Sequence, residues 1–146
     1  MGQKNREQAG TEALDGVPLG ISERKLSSDL LRGHTETIVL GILHKSDAYG
    51  FEIYNMILER TGERYELKET TLYSSYKRLE NEGCISSYWG DETQGARRRY
   101  YHLTDKGRKT YQQNMKDWEF TRNILDDLMR IGTIESIGTI KTAKRS

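Results

Sequence analysis

Residues Lys68 to Gly107 read KETTLYSSYKRLENEGCISSYWGDETQGARRRYYHLTDKG, and this stretch decides the fold. It reads as helix, glycine stop, strand, polar loop, strand and a new helix start. On a helix of about 3.6 residues per turn over Lys68–Glu82, Leu72, Tyr76 and Leu79 form one apolar seam. Thr70, Ser74, Lys77 and Asn81 point the opposite way, giving an outward face that is short, polar and cationic, with no large apolar group expected on it. Such a face suits a DNA major groove, where hydroxyls, amides and cations meet base edges and phosphates. Gly83 is the residue type that ends a helix in a left-handed turn. Ile85–Trp89 and Arg97–Leu103 are rich in β-branched and aromatic residues and read as strands, with Gly90–Ala96 as the hairpin loop.

A helix followed by a basic-flanked hairpin is the plan of a winged helix-turn-helix, and the sequence resembles one family built on it. The run T-L-Y (Thr71–Tyr73), R-L-E-N-E-G (Arg78–Gly83), Trp89 and R-R-R-Y-Y-x-L-T-x-x-G (Arg97–Gly107) is similar to the PadR family of transcriptional regulators. Upstream, Y-G-F-E-I (Tyr49–Ile53) resembles the start of that family's second helix. The resemblance covers roughly 34–129, with several separated motifs in the right order. Ser74 stands where the family carries proline and Cys84 where it carries leucine. Proline fits a first helical turn, so serine leaves the start of the recognition helix less fixed.

Composition bounds the rest. The chain has 146 residues, 34% hydrophobic and 31% charged, which fits one domain with polar tails. Its net charge of +1 makes no global demand for nucleic acid, so that reading must rest on local clustering. One cysteine excludes an internal disulfide framework. No apolar run approaches the roughly 20 residues needed to cross a bilayer, and a cytoplasmic protein is expected.

Before the decisive stretch, residues 1–28 lack periodicity and read as a disordered arm or a leader; Arg6 and Arg24 there are more simply solvated than DNA-bound. The winged helix domain is expected over 29–103. Ile38, Val39, Ile42 and Leu43 repeat at one-turn spacing on a first helix. Ser46-Asp47 reads as the N-cap of a second, Ala48–Thr61, with Tyr49, Ile53, Met56 and Ile57 inward and Gly62 as the stop. Gly50, inside that helix, is expected to allow close approach of a neighbouring helix.

After the hairpin, Thr104 caps a long helix to about Arg130. Tyr111, Met115, Trp118, Leu125 and Met129 share a stripe interrupted by Arg122, while Phe120, Ile124 and Leu128 lie on other sides. A helix apolar on two sides has two surfaces to bury, and the resemblance implies that 104–130 is a dimerisation arm. Its dimer contacts are then Tyr111, Met115, Trp118, Leu125, Leu128 and Met129. The resemblance also implies an effector site for a planar aromatic compound at Met115, Trp118 and Arg122; on residue type alone Trp118 is a dimer-core anchor. The tail, 131–146, repeats I-G-T-I and ends in basic residues, and reads as flexible.

The DNA-contact set expected on these grounds is Thr70, Thr71, Tyr73, Ser74, Lys77 and Arg78 on the helix, with Gln94, Arg97 and Arg98 on the wing. Arg97, Arg98 and Arg99 alternate sides on a strand, so at least one faces phosphate and another is placed to pair with Glu80 or Glu82. Asp91 and Glu92 repel phosphate and limit how deeply the wing enters. Cys84 reads as a small buried hydrophobe. His34, His44 and His102 show no metal-ligand spacing, and no catalytic motif or cofactor loop is present, so neither enzyme activity nor a cofactor is expected. The function that follows is a sequence-specific, homodimeric DNA-binding repressor of the PadR type, released by a small aromatic effector. The alternative is a winged-helix protein–protein interaction module without DNA. An enzyme is the third reading.

Overall fold

The computed structural model describes residues 24–92 and 95–134. Two compact units divide the chain after Arg108. The first contains α1 (Ser28–Leu31), α2 (Thr35–Lys45), β1 (Ala48–Tyr49), α3 (Gly50–Arg60), α4 (Glu69–Asn81), β2 (Ile85–Trp89) and β3 (Arg99–Leu103). The long helix α5 (Asp105–Met129) begins at its end, and the second unit holds most of α5 and the short α6 (Ile131–Ile134). This is a mainly helical winged helix-turn-helix with a small antiparallel sheet and a long C-terminal helix.

The core forms where the apolar faces of α2, α3 and α4 meet one face of the sheet. Val39, Leu40, Ile53, Leu72 and Leu79 are almost completely buried. Each fully buried Leu, Ile or Val contributes about 1.5–3 kcal/mol relative to leaving it in water. The expected seam of α4 is the buried one, with Leu72, Tyr76 and Leu79 at 2%, 3% and 1% exposure. Tyr76 stacks at a tilt on Tyr101 of β3, 4.5 Å between ring centroids, and so ties the helix to the hairpin behind it. Burial raises the Tyr76 hydroxyl pKa well above the ordinary value. In α2, Leu40 joins the core in place of Ile38 and Ile42, which are only half-buried; in α3, Met56 is exposed. Tyr65 and Leu67, in the α3–α4 connection, are buried as well. The Thr61 hydroxyl holds that connection by accepting from the Tyr65 backbone N–H at 3.2 Å.

A third strand corrects the expected helix over Ala48–Thr61. Ala48 and Tyr49 pair with Tyr101 and Tyr100, giving the order β1-β3-β2. The helix begins only at Gly50, and Tyr49 rather than Ser46-Asp47 precedes it, its backbone N–H donating to Glu52 Oε1 at 3.3 Å. Gly50 therefore occupies a first turn, not a helix interior, and the group beside it is the Tyr76 ring, 3.6 Å from where a Cβ would sit.

Two glycines fix the connections around the hairpin. Gly83 has φ +78°, a left-handed conformation natural to glycine, and turns the chain from α4 into β2. Gly107 lies so close to the Cys84 carbonyl that a Cβ would sit 2.0 Å from that oxygen. Thr104 builds the same junction: its Oγ1 accepts from the Gly107 N–H at 3.0 Å and lies 2.7 Å from the Gly83 carbonyl. The T-x-x-G motif is thus a cap and a close approach in one.

Candidate nucleic-acid interface

Helix α4 starts at Glu69, five residues before Ser74, so that serine stands in the second turn and not the first. Thr70, Thr71, Tyr73, Ser74 and Lys77 are all exposed, brought to the surface by the burial of Leu72, Tyr76 and Leu79 on the opposite side. Glu69, Thr70, Tyr73, Ser74 and Lys77 line one shallow depression. The Ser74 hydroxyl donates to the Thr70 carbonyl at 3.1 Å, a bond it must give up or share to reach a base edge. Lys77 has no ion pair among the described residues.

One expectation for this helix changes. The outward face does carry a large group, since Tyr73 is 60% exposed, and Phe51 of α3 and Trp89 of β2 are exposed nearby. These three rings line an open groove of about 440 Å³ whose other walls include Glu69, Arg98 and Arg99. Arg78, expected among the DNA contacts, turns back onto α2, where its Nε pairs with Glu36 and its Nη2 lies 3.4 Å from Ser75 Oγ. Its partner is 42 positions upstream, beyond the reach of a local pattern.

The wing separates the three arginines. Strand β3 begins at Arg99, so Arg97 and Arg98 belong to the loop rather than to the strand expected from Arg97 onward. Arg99 shares its face with buried Tyr101 and Leu103; it donates to Ser87 Oγ at 3.1 Å and pairs with Glu80 at 3.4 Å, the structural role one arginine was expected to have. Arg97 donates to the Gly90 carbonyl at 3.2 Å, its guanidinium 5.6 Å from the Trp89 ring centroid. Arg98 lies over the Tyr49 ring at 4.7 Å and pairs with Glu92 at 3.4 Å. Gly95 turns the loop at φ +76°. Gln94 lies outside the described residues, as do Arg6 and the basic residues of the 131–146 tail; Lys25 is described and its Nζ donates to the Glu63 carbonyl at 2.9 Å.

On the other face of the sheet is a polar cluster that was not foreseen. Asp47 accepts from the Tyr88 hydroxyl at 2.6 Å and meets His102 Nδ1 at 2.9 Å. Burial pushes the Asp47 pKa up, but the bonds to Tyr88 and His102 outweigh it and hold the carboxyl below its usual value. The same bond pushes the Tyr88 hydroxyl up to about 12. Tyr88 stacks on Tyr100, whose hydroxyl donates to Glu92 at 3.0 Å. Strand parity put Tyr100 and His102 on one face; their acidic partners lie on loops, where parity has no reach.

In the second unit, α5 presents Trp118, Phe120, Ile124, Leu125, Leu128 and Met129 as exposed side chains, from 37% at Trp118 to 77% at Met129. Tyr111 and Met115 are half-buried. Arg122 pairs with Glu119 at 2.5 Å, one turn back, which raises its pKa further. Among the described residues no group of three or more acidic, His or Cys side chains is placed to hold a metal ion, and no helix is long and apolar enough to cross a membrane.

Comparison with known proteins agrees with this architecture. The family model described as the transcriptional regulator PadR-like family matches residues 39–113. A transcriptional regulator from Clostridium thermocellum is 46% identical, with a TM-score of 0.65 over 70% of this chain and 96% of that one. A PadR family transcription regulator from Clostridium difficile R20291 is 34% identical, with a TM-score of 0.60 over 66% of this chain and 99% of that one. Bacillus subtilis PadR, described as a negative transcriptional regulator, is 29% identical over 80 residues, 55% of this chain and 42% of its own. Its structure in complex with operator DNA matches with a TM-score of 0.50 and 25% identity over 55% of this chain and 46% of that one. With these motifs, this fold and a family match spanning half its length, the chain belongs to the PadR-like family of transcriptional regulators.

Proposed function

We propose that the protein is a homodimeric repressor that binds a specific duplex DNA site through α4 and the hairpin wing. The observation that carries this reading is the exposed row Thr70, Thr71, Tyr73, Ser74 and Lys77 on a helix anchored by three buried residues behind it. Hydroxyls near the helix start suit base edges, and Lys77 suits a phosphate. On the wing, Arg98 lines the groove opposite Tyr73 and Arg97 lies 5.6 Å from the Trp89 ring centroid, and we assign both to the adjacent backbone. The relative in complex with operator DNA supports the assignment of the ligand class, and the negative regulator from B. subtilis supports the direction of control.

Dimerisation follows from α5. Phe120, Ile124, Leu125, Leu128 and Met129 leave apolar surface on more than one side of a single helix, and a second copy crossing it would bury that surface. Met115, Trp118 and Arg122 share one stripe at spacings of three and four residues, and we assign them to an aromatic effector at the dimer centre. A planar anion would stack on Trp118 and compete with Glu119 for Arg122. It would release DNA only by binding the DNA-incompetent arrangement of the arms more tightly. Tryptophan fluorescence with Trp89 replaced by phenylalanine reports on Trp118 alone. Planar phenolic acids should quench it and dissociate the DNA complex; if none does so, the repressor has no effector at this place.

One observation favours the protein–protein reading instead: Tyr73, Phe51 and Trp89 expose aromatic surface beside α4. Mobility-shift titration against the upstream region of the protein's own gene separates the two. Saturable binding that survives competitor DNA supports the repressor; none at micromolar protein and low salt leaves the interaction module.

A further inference from the structure

The carboxylate of Glu92 sits in a set of donors of the kind that holds an oxyanion. Its Oε1 accepts from the Arg98 backbone N–H at 3.3 Å, and its Oε2 from Arg98 Nη1 at 3.4 Å and the Tyr100 hydroxyl at 3.0 Å. The donors are themselves held. Arg98 lies over the Tyr49 ring, and that ring packs edge-on against Tyr100 at 5.4 Å. The carboxylate is pressed over Gly90, where a Cβ would stand 2.6 Å from Glu92 Oε1 and 2.7 Å from the Tyr100 ring. Glycine at that position leaves room for the acid. Arg98 also lines the open groove that contains Glu69 and Tyr73 of α4, so a guanidinium freed from Glu92 has the recognition helix within the same groove.

We propose that Arg98 and Tyr100 form a binding site for one DNA phosphate, and that in the free protein the Glu92 carboxylate occupies it as an intramolecular stand-in. A phosphate oxygen presents the same charge and acceptor geometry to a guanidinium, an N–H and a hydroxyl. Binding DNA through this site therefore requires exchanging one anion for another, and the wing gains little from non-specific duplex. A site bound well enough elsewhere drives the exchange, and because operator and random duplex meet the same Glu92 competitor, the carboxylate lowers affinity for both rather than favouring one. Hydrogen bonds to its own backbone N–H, to Tyr100 and to Arg98 hold the Glu92 pKa below the usual carboxylate value, consistent with an ionised stand-in at neutral pH.

This inference rests on the DNA-binding reading, and its test separates the two. Full-length protein, Glu92→Gln, Arg98→Ala, the double variant and Asp91→Asn are titrated onto an operator duplex and a random duplex of equal length by fluorescence anisotropy at several salt concentrations. Glu92→Gln should tighten the random duplex by about two- to fivefold per protomer, the equivalent of one exposed ion pair no longer competing. The operator should gain at least as much. Added to Arg98→Ala, the same change should give no tightening. Asp91, exposed in the same loop, controls for plain repulsion: its removal should help equally with or without Arg98. Glu92→Gln binding random duplex no better than the parent, or improving it just as much on the Arg98→Ala background, overturns the stand-in and leaves the DNA-binding reading intact. A parent protein that binds neither duplex overturns both.

Discussion

Gly107 has the tightest surroundings of any glycine described, and its replacement makes the sharpest stability prediction. A methyl group 2.0 Å from the Cys84 carbonyl cannot be accommodated by a side-chain rotation, because the obstacle is backbone. Gly107→Ala should destabilise the protein by about 2–4 kcal/mol, within the usual range for severe overpacking, read as a shift in urea midpoint at unchanged slope. Gly83→Ala, strained by its positive φ rather than by contact, should cost about 1–2 kcal/mol. The Asp47–Tyr88–His102 cluster makes a second prediction. The folded pKa of Tyr88, about 12, lies above the ordinary 10.0, so its stabilising contribution is fully present below pH 10 and is lost as pH rises toward 12. The folded pKa of Asp47 is depressed, so its contribution is present above the unfolded value and lost as pH falls through the folded one. In Asp47→Asn, ultraviolet titration should find one tyrosine moved from about 12 back toward 10; an unchanged titration would show that Asp47 does not hold Tyr88.

The elements differ in how legible they were. Helix α4 could be read residue by residue, because Leu72, Tyr76 and Leu79 recur at helical spacing and a left-handed glycine closes it. The hairpin followed from its aromatic and β-branched runs and the Gly90 boundary. Strand β1 did not: two residues carry no periodicity, and its reason for being extended is β3, more than 50 positions downstream. Helix boundaries drawn from Ser46-Asp47 failed for the same cause, since Asp47 is engaged by Tyr88 and His102 from the far side of the sheet. Within the candidate site, the exposed row on α4 was legible, while the ion pair of Arg78 with Glu36 of α2 was not. For Lys77, exposed and outside any described ion pair, substitution by alanine should weaken binding to all duplexes about equally. The slope of log K against log salt should fall by about one per protomer. Ser74→Ala and Tyr73→Phe should instead alter preference at particular base pairs by about 1–3 kcal/mol. A Lys77→Ala protein with altered site preference but unchanged salt slope would reverse the assignment of positioning and reading.

For the molecule as a whole, the proposal is that the apolar sides of α5 bring two copies together so that two α4 helices face one duplex. Ile124→Asp and Leu128→Asp, each placing a charge on exposed apolar surface, should give a folded monomer by sedimentation and weaken DNA binding by more than tenfold, since only one half-site can then be engaged at a time. A stable dimer in both variants would move the interface elsewhere. On this proposal the DNA-facing cations of a chain of net charge +1 are Lys77, Arg97 and Arg98, all exposed, and specificity is left to the hydroxyl row. The most direct test is selection of duplexes by the full-length protein from a randomised library, followed by sequencing of what is retained. Two-fold related α4 helices predict an inverted repeat with half-sites centred about 10 bp apart or a multiple of it. A single asymmetric half-site, or no enriched sequence at all, would contradict it.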